Sequence, residues 1–187
     1  MRREDIISDI LIRYNYKKGV EVGASKGDFS KSLLSRWKDG VLFMVDKWEK
    51  KDEKYQVLSD CLENISKYNS RCHMMRMPSD VACKLFSDES LDFVYLDDDH
   101  SYDGFISDFN NWFPKVKKGG LIAGHNYMMI HWYDGKFLEN NKDKAIYSGD
   151  NFLGVYGINT AIDEIIKKYN IQINFTPELF SSWYFIK

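Results

Sequence analysis

Four polar clusters, each following an apolar run, hold the residues of this chain whose types and spacing could do chemistry. The first is Glu21-Val22-Gly23-Ala24-Ser25-Lys26-Gly27. Glycines let a backbone turn sharply and approach a ligand closely, and a helix starting there offers free N–H groups. Two glycines at this spacing fit a plain strand-to-helix turn equally well. A dinucleotide fingerprint would need a third glycine three residues after the second. Ser30 stands there, so no nicotinamide cofactor and no pyrophosphate are expected. The second cluster begins at Asp46, roughly 20 residues beyond the glycine turn, where a carboxylate can accept hydrogen bonds from both hydroxyls of a ribose. The third is Asp97-Asp98-Asp99-His100. Clustered carboxylates repel one another, and keeping them together needs a cation or a proton. A magnesium site, a cofactor contact, a general base, and a solvated turn with a helix cap all fit this cluster. The fourth is Gly124-His125-Asn126. It belongs beside the acidic cluster if the strands before the two are neighbours. His125 could then be a base or a positioning group, and Asn126 a neutral oxygen ligand. His73 and His131 have no comparable setting and read as structural.

The elements that must position these clusters can be read from periodicity. Residues 2–14 form an amphipathic helix, with Ile6, Ile7, Ile10, Leu11 and Tyr14 on one face. Lys18 to Val22 is a short apolar run, Phe29 to Trp37 is helical, and Val41 to Val45 is continuously apolar up to Asp46. Tyr55 to Tyr68 is helical, Cys72 to Met77 is a strand closed by Pro78, and Ser79 to Phe86 is a short helix. Leu91 to Leu96 is a buried strand, and Tyr102 to Phe113 is a helix stopped by Pro114. Gly119-Gly120 reads as a turn before a strand at Leu121 to Ala123. A helix over 156–169 and strands over 171–175 and 182–186 close the chain. Strands and helices alternate, and the strands are not of the half-exposed kind, so both sheet faces are covered. That pattern predicts a doubly wound, mostly parallel α/β sheet in one domain over 1–187. Residues 125–155 break the rhythm. They are long, lack clear periodicity and carry Tyr127, Trp132, Tyr133, Phe137, Tyr147 and Phe152. Aromatics argue against disorder, and long loops in compact domains are functional, so this stretch is expected to cover a substrate.

Composition narrows the partners. Hydrophobic residues make up 44% and charged residues 29%, enough for a full core. A formal net charge of −2 with interleaved signs gives no phosphate-seeking field, which argues against nucleic acid and favours a small neutral or cationic partner. Cys61, Cys72 and Cys83 are odd in number and widely spaced, fitting free thiols in a reducing compartment. Acids follow Arg2 and Arg3 at once, so the start is not a signal peptide. No apolar run approaches the ~20 residues that span a membrane. Cytoplasm is therefore the expected location. The apolar stripe of the first helix could cover a pocket or pair subunits, which leaves the oligomeric state open.

Three stretches together resemble a known family. Val20-Glu21-Val22-Gly23 through Gly27, then Val45-Asp46-Lys47-Trp48, then Leu91-Asp92-Phe93-Val94-Tyr95-Leu96-Asp97-Asp98-Asp99-His100-Ser101-Tyr102 are similar to the class I methyltransferases, and within them to the methyltransferase domain 24 group. Gly119-Gly120-Leu121-Ile122-Ala123-Gly124-His125-Asn126-Tyr127, Gly157 to Glu164 and Ser182-Trp183-Tyr184-Phe185 extend the likeness over nearly the whole chain. The resemblance implies a Rossmann-like seven-stranded sheet with an antiparallel last strand. It also implies S-adenosylmethionine as cofactor and a small polar acceptor, such as a sugar hydroxyl or another metabolite. Glu21, Gly23 and Gly27 would line the methionine and ribose part of the cofactor, Asp46 would hold the ribose, Pro78 and Ser79 would contact the adenine, and Ala24, Ser25 and Lys47 would be further cofactor contacts. Asp97 would face the transfer site. Some relatives hold magnesium after strands four and five, at places that map to Asp97 and Asn126, where an amide stands for the usual acid. His100, His125 and Asp97 are the candidates for removing a proton from an alcohol acceptor, with no order among them. The rivals are a nucleic-acid methyltransferase, which would carry a proline-rich motif after strand four, a nucleotide-dependent oxidoreductase, and a non-catalytic cofactor-binding protein of the same fold.

Overall fold

Each apolar run of the sequence becomes a strand, and each amphipathic stretch becomes a helix laid across the sheet. The structure, a computed structural model, describes residues 2–49, 54–128, 145–148, 151–178 and 180–187. In chain order the elements are α1 (Arg3–Arg13), β1 (Lys18–Val22), α2 (Asp28–Arg36), β2 (Val41–Asp46), α3 (Lys54–Ile65), β3 (Cys72–Arg76) and α4 (Ser79–Ala82). There follow β4 (Leu91–Leu96), α5 (Tyr102–Trp112), β5 (Val116–Met128), β6 (Ala145–Ser148), β7 (Asn151–Val155), α6 (Tyr156–Tyr169), β8 (Asn174–Phe175) and β9 (Phe180–Ile186).

The main sheet has seven strands in the order β3-β2-β1-β4-β5-β9-β8. β3, β2, β1, β4 and β5 are mutually parallel, and β9 runs antiparallel to β5. The fold is thus the α/β architecture expected, with the last strand reversed. Strand order changes direction between β1 and β4, and ligands of such sheets bind outside the carboxyl ends of the strands at that crevice.

Both faces are covered. Val20, Val22, Val94, Leu96, Phe105, Phe109, Trp112, Ile158, Ile162 and Trp183 form the core on the α5–α6 side. Ile7, Leu11, Phe29, Leu33, Leu34, Leu42, Met44, Phe93 and Tyr95 form the core beneath α1 and α2. Of the apolar stripe read on the first helix, Ile7 and Leu11 are fully buried while Tyr14 is exposed at the helix end.

Three local expectations are corrected. Gly119-Gly120 is not a turn ahead of a strand but lies inside β5. Leu91 pairs with Val116 and Phe93 with Leu121, so β5 bulges between them, and Gly119 takes a φ of +79° to do so. The helix expected over Ser79 to Phe86 shortens to α4 and tightens to a 3₁₀ turn at Cys83–Leu85. The stretch expected to be an irregular loop, 125–155, begins as the end of β5 and closes as an antiparallel β6–β7 pair. His131, Trp132, Tyr133 and Phe137 lie outside the described residues.

Candidate functional site

The turn after β1 is built by its glycines. Gly23 (φ +87°) and Gly27 (φ +73°) both sit in the left-handed region, and Gly27 is the N-cap of α2. A Cβ at Gly23 would lie 2.2 Å from the Asp97 carbonyl oxygen, so only glycine lets the end of β1 run this close to the end of β4. The Gly23 N–H donates to the Val45 carbonyl (2.8 Å) and the Asp97 N–H to that of Val22 (2.8 Å), tying three strand ends together. Asp46 fixes the next wall. Its carboxylate accepts the N–H of Ser25 (2.8 Å) and of Trp48 (2.7 Å), and the Trp48 indole donates to the Ser25 carbonyl (2.8 Å).

Parallel register brings the third and fourth clusters together. Leu96 pairs with Gly124, which sets Asp97 beside His125 one step further on. Asp97 Oδ1 lies 3.2 Å from His100 Nε2 and 3.5 Å from His125 Nδ1. Burial pushes the Asp97 carboxyl up, but hydrogen bonds from His100 and His125, and their charges, outweigh it and hold the carboxyl below its usual range. Asn126, at φ +62°, places Nδ2 2.9 Å from His100 Nε2. Below this layer Glu21 is buried against α2, where the Ser30 hydroxyl donates to it. Burial pushes the Glu21 carboxyl up to about 8. Arg3 reaches in from α1, its guanidinium over the Phe29 ring. Burial opposes its charge, but Tyr95, Asp97, Glu4 and Glu21 outweigh that and hold its pKa above the ordinary value.

Asp97 lines one cavity, and its partner His125 lines another. The first, about 350 Å³, is lined by Gly23, Ser25, Asp46, Trp48, Glu49, Val57, Asp97, Asp98 and His100. The second, about 400 Å³, lies under the start of α1 and includes His125 in its wall. Of the residues read from sequence as cofactor or catalytic groups, Gly23, Ser25, Asp46, Asp97 and His100 thus share one cavity, and His125 faces the other. Ala24 is buried, Gly27 packs toward Cys61 and Met44, and Lys47 and Pro78 are exposed. Ser79 is buried, donating to Asp108 (2.6 Å) and accepting from the Trp112 indole (2.8 Å). Burial lifts the Asp108 carboxyl to about 6. The sequence reading missed Trp48, Glu49, Val57 and Arg3. The tryptophan directly after Asp46-Lys47 was the one local signal available.

The magnesium expectation for Asp97 and Asn126 is not met by the groups present. Magnesium takes hard oxygen ligands in octahedral geometry. Here Asp97 faces two imidazoles, and the Asn126 amide nitrogen is turned to His100. Among the described residues no three His, Cys, Asp or Glu side chains converge to hold a metal. None of their helices is long and apolar enough to cross a membrane.

Comparison with known proteins accords with this geometry. The profile of the methyltransferase domain 24 group, described as a methyltransferase domain, matches residues 20–127. Comparison with curated proteins returns no match. Among solved structures, a protein from Staphylococcus aureus assigned as a caffeoyl-CoA O-methyltransferase superposes with a TM-score of 0.72 at 15% identity, covering 100% of this chain and 85% of that one. The O-methyltransferase TomG from Streptomyces achromogenes, involved in tomaymycin synthesis and solved with S-adenosylmethionine, gives 0.70 at 11% identity over 99% and 79%. The methyltransferase PaMTH1 from Podospora anserina, solved with S-adenosylhomocysteine, gives 0.64 at 13% identity over 99% and 78%. Identities this low show a shared fold.

Proposed function

This chain belongs to the methyltransferase domain 24 family, and is an S-adenosylmethionine-dependent methyltransferase; we propose that it methylates a hydroxyl of a small polar acceptor, a sugar or another metabolite, as a single domain in the cytoplasm. The observation that carries this is the chemistry of the first cavity. Its wall holds Asp46, Glu49, Asp97 and Asp98, and no lysine or arginine among the described residues. Such a field attracts a cation and repels phosphates. A sulfonium cofactor fits it, and a dinucleotide does not. The volume suits a small ligand, and Asp46 sits where ribose hydroxyls are bound in sheets of this order. Three buried free cysteines fit a reducing compartment.

When bound, S-adenosylmethionine would supply an activated methyl group to the acceptor oxygen, with the neutral thioether as the leaving group. The protein's part is to place the acceptor and take its proton. Of the three candidates, His125 is the base. Asp97 accepts from its Nδ1 side and orients the ring, which leaves Nε2 for a hydroxyl in the second cavity. The Asp97 carboxylate, held in its charged form, also stabilises the imidazolium that forms. His100 faces the first cavity and is braced by Asn126.

Calorimetry with S-adenosylmethionine and S-adenosylhomocysteine, on wild type and Asp46→Ala, tests the reading. Micromolar binding to wild type, weakened about a hundredfold or more in Asp46→Ala, is expected, since two backbone bonds and the ribose contacts all depend on that carboxylate. Absence of binding to wild type would sink it. Binding without turnover on any hydroxyl acceptor would favour a non-catalytic cofactor-binding protein.

A further inference from the structure

The second cavity is not explained by the cofactor. Its lining comes from both ends of the described chain: Arg2, Arg3 and Glu4 at the start of α1, His125 at the end of β5, and Glu178 and Phe180 at the turn into β9. The carboxylates in this wall are engaged in part. Glu178 accepts the Arg3 N–H through one oxygen, which clips the start of α1 to the turn before β9. Glu4 pairs with Arg3 Nε at 3.4 Å through Oε1 and with Arg2 Nε at 3.9 Å through Oε2. The Oε2 atoms of Glu4 and Glu178 are buried and have no hydrogen-bond partner among the described residues.

The guanidiniums are differently placed. Among the described residues the ion-pair partner of both arginines is Glu4, and it engages only their Nε atoms. The outer forks of N–H donors, on side chains 76% (Arg2) and 23% (Arg3) exposed, remain for a ligand. That fork matches a carboxylate bidentately. Arg3 stays charged in this setting, because Tyr95, Asp97, Glu4 and Glu21 outweigh the burial that opposes its charge. Phe180 adds an aromatic surface, and His125 supplies the base on the same wall.

We propose that this cavity is the acceptor pocket, and that it selects an acceptor carrying a carboxylate alongside the hydroxyl that is methylated. The inference rests on the methyl-transfer reading above. It runs against the net charge of the whole chain, which favoured a neutral or cationic partner, because local fork geometry decides what a pocket accepts.

A matched set of phenols tests it, with S-adenosylhomocysteine bound: 4-hydroxybenzoate, 4-hydroxybenzyl alcohol and tyramine, which share a ring and a hydroxyl but carry a negative, neutral or positive tail. Calorimetry or ligand-observed NMR should show saturable binding of 4-hydroxybenzoate, about tenfold or more tighter than of the other two. Arg3→Gln should abolish that preference, and Arg2→Gln should reduce it severalfold. Arg2 is the more exposed of the pair, so its variant keeps the test decisive if Arg3→Gln fails to fold, and homocysteine-cofactor binding reports folding in each. No saturable binding of 4-hydroxybenzoate to the complex, or a preference for tyramine, overturns the pocket assignment alone. Failure of wild type to bind S-adenosylhomocysteine overturns the methyl-transfer reading and this inference with it.

Discussion

Asp97 lines the first cavity and its partner His125 the second, and the two cavities differ in almost everything else. The first is acidic and is made by the loops that follow β1, β2 and β4. Apart from Val57 of α3, each of its pieces is a few consecutive residues behind a strand, and the parallel register brings these together. The second presents guanidinium and imidazole groups and is made where α1, β5 and β9 meet, from residues as far apart as Arg3 and Glu178. The difference separates two tasks. A common cofactor can be held by strand-end loops that any such sheet provides. An acceptor must be chosen by groups peculiar to one chain, and these come from the periphery of the sheet.

The largest effect should come from the close approach of β1 to β4 at the first cavity. Gly23→Ala puts a Cβ 2.2 Å from the Asp97 carbonyl oxygen, at a φ of +87°. Both obstacles are backbone, so β1 and β4 must part. A fall in Tm of about 10 °C or more, with loss of cofactor binding, is expected by scanning calorimetry. A variant that melts like wild type and binds S-adenosylhomocysteine would mean that close approach is dispensable. Next, the two histidines should divide by cavity. His125→Ala should lower kcat by about 10²- to 10⁴-fold, with the main loss in turnover rather than cofactor affinity. His100→Ala should act mainly on cofactor affinity. The reverse split, read from kcat and calorimetry together, would exchange the roles of the two cavities.

The smallest effect concerns Glu21, beneath both. Its folded pKa of about 8 lies above the ordinary 4.5. Below 4.5 both folded and unfolded chains hold the proton. Between 4.5 and 8 the unfolded chain releases it while the folded chain keeps it, so stability falls as pH rises through that window and levels off above it. Glu21→Gln keeps an acceptor for Ser30 and removes this dependence. It should raise Tm by a few degrees at pH 8.5 and leave it nearly unchanged at pH 4. An equal shift at both pH values would show that the Glu21 pKa is not raised in the folded protein.

The first cavity was legible in the sequence for a physical reason. A buried strand is a continuous apolar run, so the polar residues that interrupt it, Gly23 to Gly27, Asp46 and Asp97 to His100, mark its carboxyl end. The parallel, doubly wound sheet followed from the alternation of strands and helices, and the reversed last strand from the family resemblance. The second cavity was not legible, because an arginine at the start of a helix looks like any solvated residue until Glu178 is known to lie beside it. The bulge at Gly119-Gly120 escaped for a related reason. Paired glycines signal a turn, and only the register of β5 against β4 shows that the chain returns to the same strand. Ser79 was placed by its position after β3, but its bonds to Asp108 and Trp112 depend on how α5 packs on α4.

Trp48 gives the protein a built-in optical label. Its side chain is 3% exposed, its indole N–H is held by the Ser25 carbonyl, and it lines the acidic cavity. Trp37, Trp112 and Trp183 are buried in the cores away from that wall. An aromatic base entering the cavity would meet an indole that cannot swing aside, and among the described residues excited-state energy would drain from that ring. Emission at fixed excitation would then count occupied molecules during a titration, with no dye attached and no substrate turned over.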